Sequence, residues 1–228
     1  MGIHDGHRER LQQHFREKGI DGFTTVTTLE FLLQFAIPRR DTNPIAHALL
    51  DKFGSLHGVF SAKAEELCDV PGVGPRVADL ITLIPQIMRK SAVDSAAERD
   101  RLPDRDAVIA YLQPRFLYEQ EEIAILLCLD PQQRVIKCVE VARGVVDGVK
   151  LDIRQILVLA LEMKSSSVVL AHNHPDGPKY NSREDDMATR ELLRVLHTVS
   201  IYFQDHLIFT PEGCFSYRGS GTMDMLRY

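Results

Sequence analysis

No stretch of the 228 residues comes near the ~18 consecutive apolar side chains that a membrane-spanning helix needs. The longest apolar runs, Ile123–Leu129 and 156–161, have the length of core elements. The start, Met1-Gly2-Ile3-His4-Asp5, is polar and lacks the apolar stretch of a signal peptide, so a cytoplasmic location is expected. A basic excess is missing as well: 27 Lys and Arg face 32 Asp and Glu, a net charge of −5. Residues 1–100 hold 12 basic and 14 acidic side chains and the remainder 15 and 18, so neither half is a basic domain. A protein that grips nucleic acid by charge alone is excluded, although a local patch is not. Cysteine is sparse. Cys68, Cys128, Cys138 and Cys214 form no C-x-x-C pair, and Cys128 and Cys138 stand in apolar runs as buried thiols. A disulfide framework and a cysteine-bound structural zinc are both excluded. There is no internal repeat and no low-complexity tract.

What is present is an ordinary globular composition, 44% hydrophobic and 26% charged, long enough for two small domains. Residues 1–90 read as helical. Leu11 and Phe15 stand four apart within an amphipathic stretch, 7–18. Pro38 ends the apolar run 31–37, and Asn43-Pro44 opens a helix that Gly54 stops. Residues 91–106 are polar and nearly aperiodic, and read as a linker. From 107 the pattern changes. Strands are expected at 122–130, 134–142 and 167–171, with shorter ones at 201–203, 206–209 and 215–217. Helices are expected at 153–163, capped by Asp152, and from Ser182 to 198. The irregular alternation predicts a mixed α/β sheet with helices packed on it, following an all-α domain.

In the helical half, Leu67-Cys68-Asp69-Val70-Pro71-Gly72-Val73-Gly74-Pro75-Arg76 places two helices around a tight glycine hairpin. Gly72 and Gly74 let the backbone come close, and the amides after Gly74 open a helix whose positive end suits a phosphate. The layout resembles the helix-hairpin-helix motif, which implies a sequence-independent DNA contact through Gly72, Gly74 and Arg76. Arg76 is the single cation between Leu67 and Ile81, with Glu65, Glu66, Asp69 and Asp79 around it. A packing or protein-contact module therefore stands beside the DNA reading. Pro85 is expected to kink or shorten the following helix.

In the second half, His172 and His174 are two apart at the end of a strand, which puts both imidazoles on one face. Asp185 follows ten residues after His174, in the first turn of a helix capped by Ser182. Two imidazoles and one carboxylate, with a fourth position open, are the donor set of a catalytic zinc site. Asp186 competes for the carboxylate role. Asn173, between the histidines, faces away from them and reads as a group that fixes the loop.

His172-x-His174-Pro175 followed by Ser182-x-x-Asp185 matches the JAMM (MPN+) metalloprotease motif. His172-Asn173-His174-Pro175-x-Gly177, Ser182-Arg183-x-Asp185 and Asp205-His206-Leu207-Ile208 resemble the RadC family of bacteria. So do Gly6-His7-Arg8-Glu9-Arg10-Leu11, Ile37-Pro38-Arg39-Arg40-Asp41-Thr42-Asn43-Pro44-Ile45-Ala46 and Phe53-Gly54-Ser55-Leu56 in the first domain. The resemblance implies a JAMM/MPN fold over 107–228 and zinc on His172, His174 and Asp185. It implies a zinc-dependent hydrolase cleaving an amide bond of a peptide or protein. It also implies an upstream glutamate as proton acceptor, four residues before a strand-ending glycine. Glu140, ahead of Gly144, fits that place, and Glu162 is a rival. Ser182 would donate to the developing oxyanion. Many RadC chains carry a different loop after the histidines, and here Asp176 and Tyr180 add a carboxylate and an aromatic that bear on substrate preference.

Overall fold

The structure, a computed structural model, describes residues 5–144, 151–175, 177 and 180–226. It divides into two compact units, Met1–Met88 and Arg89–Tyr228. The first is helical: α1 (Asp5–Lys18), α2 (Thr25–Leu33), α3 (Asn43–Phe53), α4 (Leu56–Ser61), α5 (Ala64–Cys68) and the first part of α6 (Pro75–Ala97). Its core collects Leu29, Leu33, Leu49, Leu67 and Ile81, all without solvent exposure. Local chemistry sets the helix ends. The Thr24 hydroxyl accepts from the Thr27 amide at the start of α2, and Gly54, in the left-handed region at φ 78°, ends α3.

The second unit orders α7 (Arg105–Leu112), a 3-10 turn (Gln113–Phe116), β1 (Ile123–Leu129), β2 (Val135–Arg143), α8 (Ile153–Glu162), β3 (Ser167–Asn173), α9 (Arg183–Thr198), β4 (Tyr202–Thr210), β5 (Gly213–Ser216) and α10 (Thr222–Met225). The strands form one mixed sheet in the order β2-β1-β3-β4-β5, in which only β3 and β4 run parallel. β1 and β3 are buried along their whole length, which is why they read as continuous apolar runs rather than alternating ones. One sheet face, with Ala124, Leu126, Val168, Leu170 and Ile208, packs on Ile156 and Ala160 of α8 and on Leu192 and Leu196 of α9. The other, with Ile125, Leu127, Val169, Ala171 and Leu207, packs on Val108, Tyr111 and Leu112 of α7. Helices thus cover both faces.

Three expectations are corrected. The expected linker at 91–106 is largely structured. α6 continues to Ala97, because the alanine-rich 91–97 only has to extend an existing helix and avoids the cost of nucleation. Beyond it the Leu102 amide donates to the Gln133 carbonyl, the Val135 amide donates to the Asp100 carbonyl, and Leu102 is fully buried. Second, of the kink or shortening expected at Pro85, the shortening does not occur, and α6 runs through it. Third, the two short strands expected at 201–203 and 206–209 are one strand, β4. Its polar pair Gln204-Asp205 sits at a register irregularity opposite Val168 and Val169. There the buried Asp205 carboxylate accepts from the His206 and Arg218 amides and from the Ser216 hydroxyl, so the strand continues through a charge. No helix among the described residues is long and apolar enough to cross a membrane.

The cysteines differ in environment. Cys68 is exposed and Cys128 buried. Burial pushes the Cys128 thiol up, and it pushes that of Cys138 up to about 11 against the opposing pull of Arg115. Because the thiolate is the reactive form, iodoacetamide at neutral pH should modify Cys68 in the native protein. Cys128 and Cys138 should react only after unfolding, as read by mass spectrometry of the digested chain.

Candidate metal centre

α9 begins with a reciprocal cap. The Ser182 hydroxyl accepts from the Asp185 amide (3.1 Å), and Asp185 Oδ2 accepts both the Ser182 amide (2.8 Å) and the Ser182 hydroxyl proton (2.7 Å). Oδ2 is therefore filled, while Oδ1 turns toward the end of β3 and stands 3.1 Å from His172 Nε2. His174 Nε2 lies 3.0 Å from His172 Nε2 and 3.7 Å from Asp185 Oδ2. The His174 amide donates to the Phe209 carbonyl, which carries the β3–β4 pairing past the end of the strand and fixes where His174 begins. Burial raises the Asp185 carboxyl. The hydrogen bond and charge of His172, with the Ser182 hydroxyl and amide, outweigh that and hold it well below the usual carboxylate range.

Behind His172 lies a second layer that the sequence reading did not assign. His172 Nδ1 stands 2.9 Å from Nε2 of His206 on β4, and His206 Nδ1 stands 2.6 Å from the hydroxyl of Thr189 on α9. The Thr189 hydroxyl also donates to the Asp185 carbonyl at 2.6 Å. His206 and Thr189 have no solvent exposure. The His206 ring stacks on Tyr217 with centroids 4.9 Å apart and planes at 8°. Burial, with the neighbouring His172, pushes the His206 imidazole well below its usual range.

The donor set fits a metal ion. Ligand atoms on a tetrahedral zinc, each bonded at about 2.0–2.1 Å, stand about 3.3–3.4 Å apart. His172 Nε2 stands 3.0 Å from His174 Nε2 and 3.1 Å from Asp185 Oδ1, a little inside that spacing, while His174 Nε2 meets the same carboxylate at Oδ2, 3.7 Å away. Ligand atoms of His172, Asp185 and His206 also gather within 4.8 Å of one another. Both His206 nitrogens, however, already face partners, which makes it a support for His172 rather than a ligand. His174 and Asp185 keep 12% and 14% of their side-chain surface exposed, so the set can be reached from solvent.

Known protein families match both halves of the chain. A family model described as the RadC-like JAB domain matches residues 102–222, and one for the helix-hairpin-helix motif matches 55–84. A UPF0758 protein of Fusobacterium nucleatum is 32% identical over 223 residues, covering 95% of this chain and 96% of its own. The chain belongs to the RadC family.

Within this RadC-family sheet Asn173 does what its position suggested. Its Oδ1 accepts from the Ile123 amide and its Nδ2 donates to the Glu121 carbonyl, tying β3 to the start of β1. Glu140 does not join the site. Its rung on β2 pairs with Ile125 and, across β1, with Ala171, whereas His172 pairs with Ala124. Neighbouring strand residues point to opposite faces, so Glu140 lies on the face away from His172 and two strands distant. There both of its oxygens accept from the Arg143 guanidinium at 2.8 Å. The glutamate motif carries no information about face, and a bulge decides it. The register shift between Ala124 and Ile125 makes Val141 an extra residue. Unshifted pairing would set Glu140 opposite Leu126, on the His172 side. The rival Glu162 is exposed at the end of α8. Asp186 is engaged elsewhere, its Oδ1 accepting from Asn181 Nδ2 and the Tyr217 hydroxyl. The expected oxyanion donor, Ser182, spends its hydroxyl proton on Asp185.

In the other unit, Gly72 has φ 92°, and a Cβ there would meet Ile45 Cδ1 at 2.9 Å, so the hairpin requires glycine on two counts. The Gly74 carbonyl accepts the Val77 and Ala78 amides as α6 begins, and Arg76 is exposed. Of the loop that departs from many RadC chains, Asp176, Pro178 and Lys179 lie outside the described residues, and Tyr180 is exposed.

Replacing Ser182 should reveal its double duty. Ser182→Ala should lose about 1 kcal/mol through the missing cap and should also weaken zinc binding, because Asp185 loses the group that orients it. Ser182→Thr should retain most of both. Thermal melts and a competitive zinc titration separate the two effects.

Proposed function

We propose that this RadC-family protein is a zinc-dependent hydrolase that cleaves an amide bond in a peptide or protein. The observation that carries the reading is the convergence of His172 Nε2, His174 Nε2 and the Asp185 carboxylate within 3.0–3.7 Å of one another, close to the spacing a tetrahedral ion requires. When bound, zinc would supply Lewis acidity toward a carbonyl and toward water. The chain supplies the rest. His172 and His174 would hold the ion through Nε2. Asp185 brings one negative oxygen, held in place by the cap that occupies its other oxygen. Ser182 acts as the residue that positions Asp185. No proton-transfer step is assigned to Glu140, which the Arg143 fork holds on the opposite face of the sheet.

The test is elemental analysis combined with turnover of a library of peptide and isopeptide reporters. The purified protein should hold about one zinc ion per chain. His172→Ala and Asp185→Ala should each abolish zinc retention and cleavage, while Glu140→Gln should leave both within about twofold of wild type. Full zinc occupancy without cleavage of any amide reporter would reject the hydrolase and leave a metal-stabilised interaction domain. Absence of zinc at micromolar supply would reject both.

A second reading concerns the helical unit and rests on its own observation. The positive-φ glycine at 72 and the helix opening after Gly74 form a hairpin that matches the helix-hairpin-helix model. We propose that Gly72, Gly74 and Arg76 give a weak, sequence-independent contact with the DNA backbone. Phosphate contacts are strongest at low salt. Duplex binding should therefore appear at ~50 mM salt, fall steeply with added salt, and be lost in Arg76→Glu. A flat baseline at ~50 mM salt ends this reading.

A further inference from the structure

The chain from Thr189 through His206 to His172 has only one consistent placement of protons, and that placement bears on the metal centre. The Thr189 hydroxyl sits 2.6 Å from the Asp185 carbonyl oxygen, which has no proton to give. Two oxygens at that distance require a proton between them, so the single hydroxyl proton points at the carbonyl. Toward His206 Nδ1, also 2.6 Å away, Thr189 then offers only lone pairs, and Nδ1 must carry the hydrogen. A neutral imidazole with a proton on Nδ1 has a bare Nε2. His206 Nε2 therefore accepts from His172 Nδ1 at 2.9 Å, and His172, in its neutral form, is left with a bare Nε2. That nitrogen faces Asp185 Oδ1 and His174 Nε2.

We propose that Thr189 and His206 form a buried relay that locks His172 in the tautomer able to bind a metal through Nε2. The inference rests on the metal-site reading above and deepens it. Thr189 and His206 are positioning residues, acting through His172. The relay is well placed for the task. Both members are sealed from water, which would otherwise offer either nitrogen an alternative partner. Tyr217 stacks flat on the His206 ring and holds its plane. Thr189 stands one helical turn after Asp185, so the helix that delivers the carboxylate ligand also delivers the group that sets the imidazole ligand. In a metal centre the far nitrogen of a ligating histidine is generally held by a carboxylate, a carbonyl or water. Here an imidazole holds it, and a hydroxyl holds that imidazole.

Two measurements test this. Long-range proton–nitrogen spectra of the metal-free protein at mildly alkaline pH report the tautomer of His206 directly. The expected pattern is a protonated Nδ1 and a bare Nε2, and a protonated Nε2 would overturn the relay whatever the metal does. Competitive zinc titration of wild type, Thr189→Val and Thr189→Ser gives the functional side. Valine keeps the shape and removes the acceptor, and should weaken zinc binding at least about tenfold. Serine keeps the hydroxyl and should restore it. A folded Thr189→Val protein that binds zinc as tightly as wild type would overturn the relay and leave the metal centre standing. A wild-type protein that binds no zinc would overturn the metal reading and, with it, the purpose assigned here to Thr189 and His206.

Discussion

His172 is a polar ring set into an apolar sheet face, and the arrangement around it follows from that one fact. A buried polar group without partners is costly, and a buried polar network is worth having only when each member is satisfied. Its near neighbours on the same face, Ala124 and Leu170, can offer it nothing. Partners must come from the adjacent strand and the covering helix. The parallel pairing of β3 with β4 brings His206 beside Leu170, two residues before His172 in register and on the same side. α9 then lies over the pair and contributes Asp185 on one side and Thr189 on the other. The same helix buries Leu192 and Leu196 against the sheet, so apolar packing sets the depth at which its two polar groups arrive.

Asp205 anchors the arrangement from the other side of β4. Burial pushes its carboxyl up, while the Ser216 hydroxyl and the amides of Arg218 and His206 pull it back. By accepting from both β4 and the segment after β5, it fixes the strand beside His206 and holds Tyr217, the ring that covers His206. An acid in the middle of a strand thus acts as a clamp for the chain that follows.

The sequence made some of this legible and hid the rest for identifiable reasons. β1 and β3 announce themselves as apolar runs, and the caps at Asp152 and Ser182 mark helix starts, because those signals are local. The His172, His174 and Asp185 set is local too, confined to a single strand–loop–helix passage. His206 and Thr189 belong with His172 only through the strand pairing and the helix packing, 34 and 17 residues away. The one clue to Thr189 was its place a turn after Asp185. Glu140 was misplaced because its face depends on one bulged residue, Val141, and a bulge in an apolar strand leaves no mark in the sequence. The 91–97 segment reads as linker because a short alanine-rich tract has no amphipathic period, yet it needs none when a helix is already under way.

Asn173 gives the strand end a further property. Its neighbours turn toward the candidate metal site while its own side chain stitches β3 to the start of β1. Three consecutive residues thus serve opposite surfaces of one sheet. Gaining or losing a single residue in β3 would exchange them, putting an amide where the ligands belong and imidazoles against a seam with no use for them. The strand is held to a fixed count.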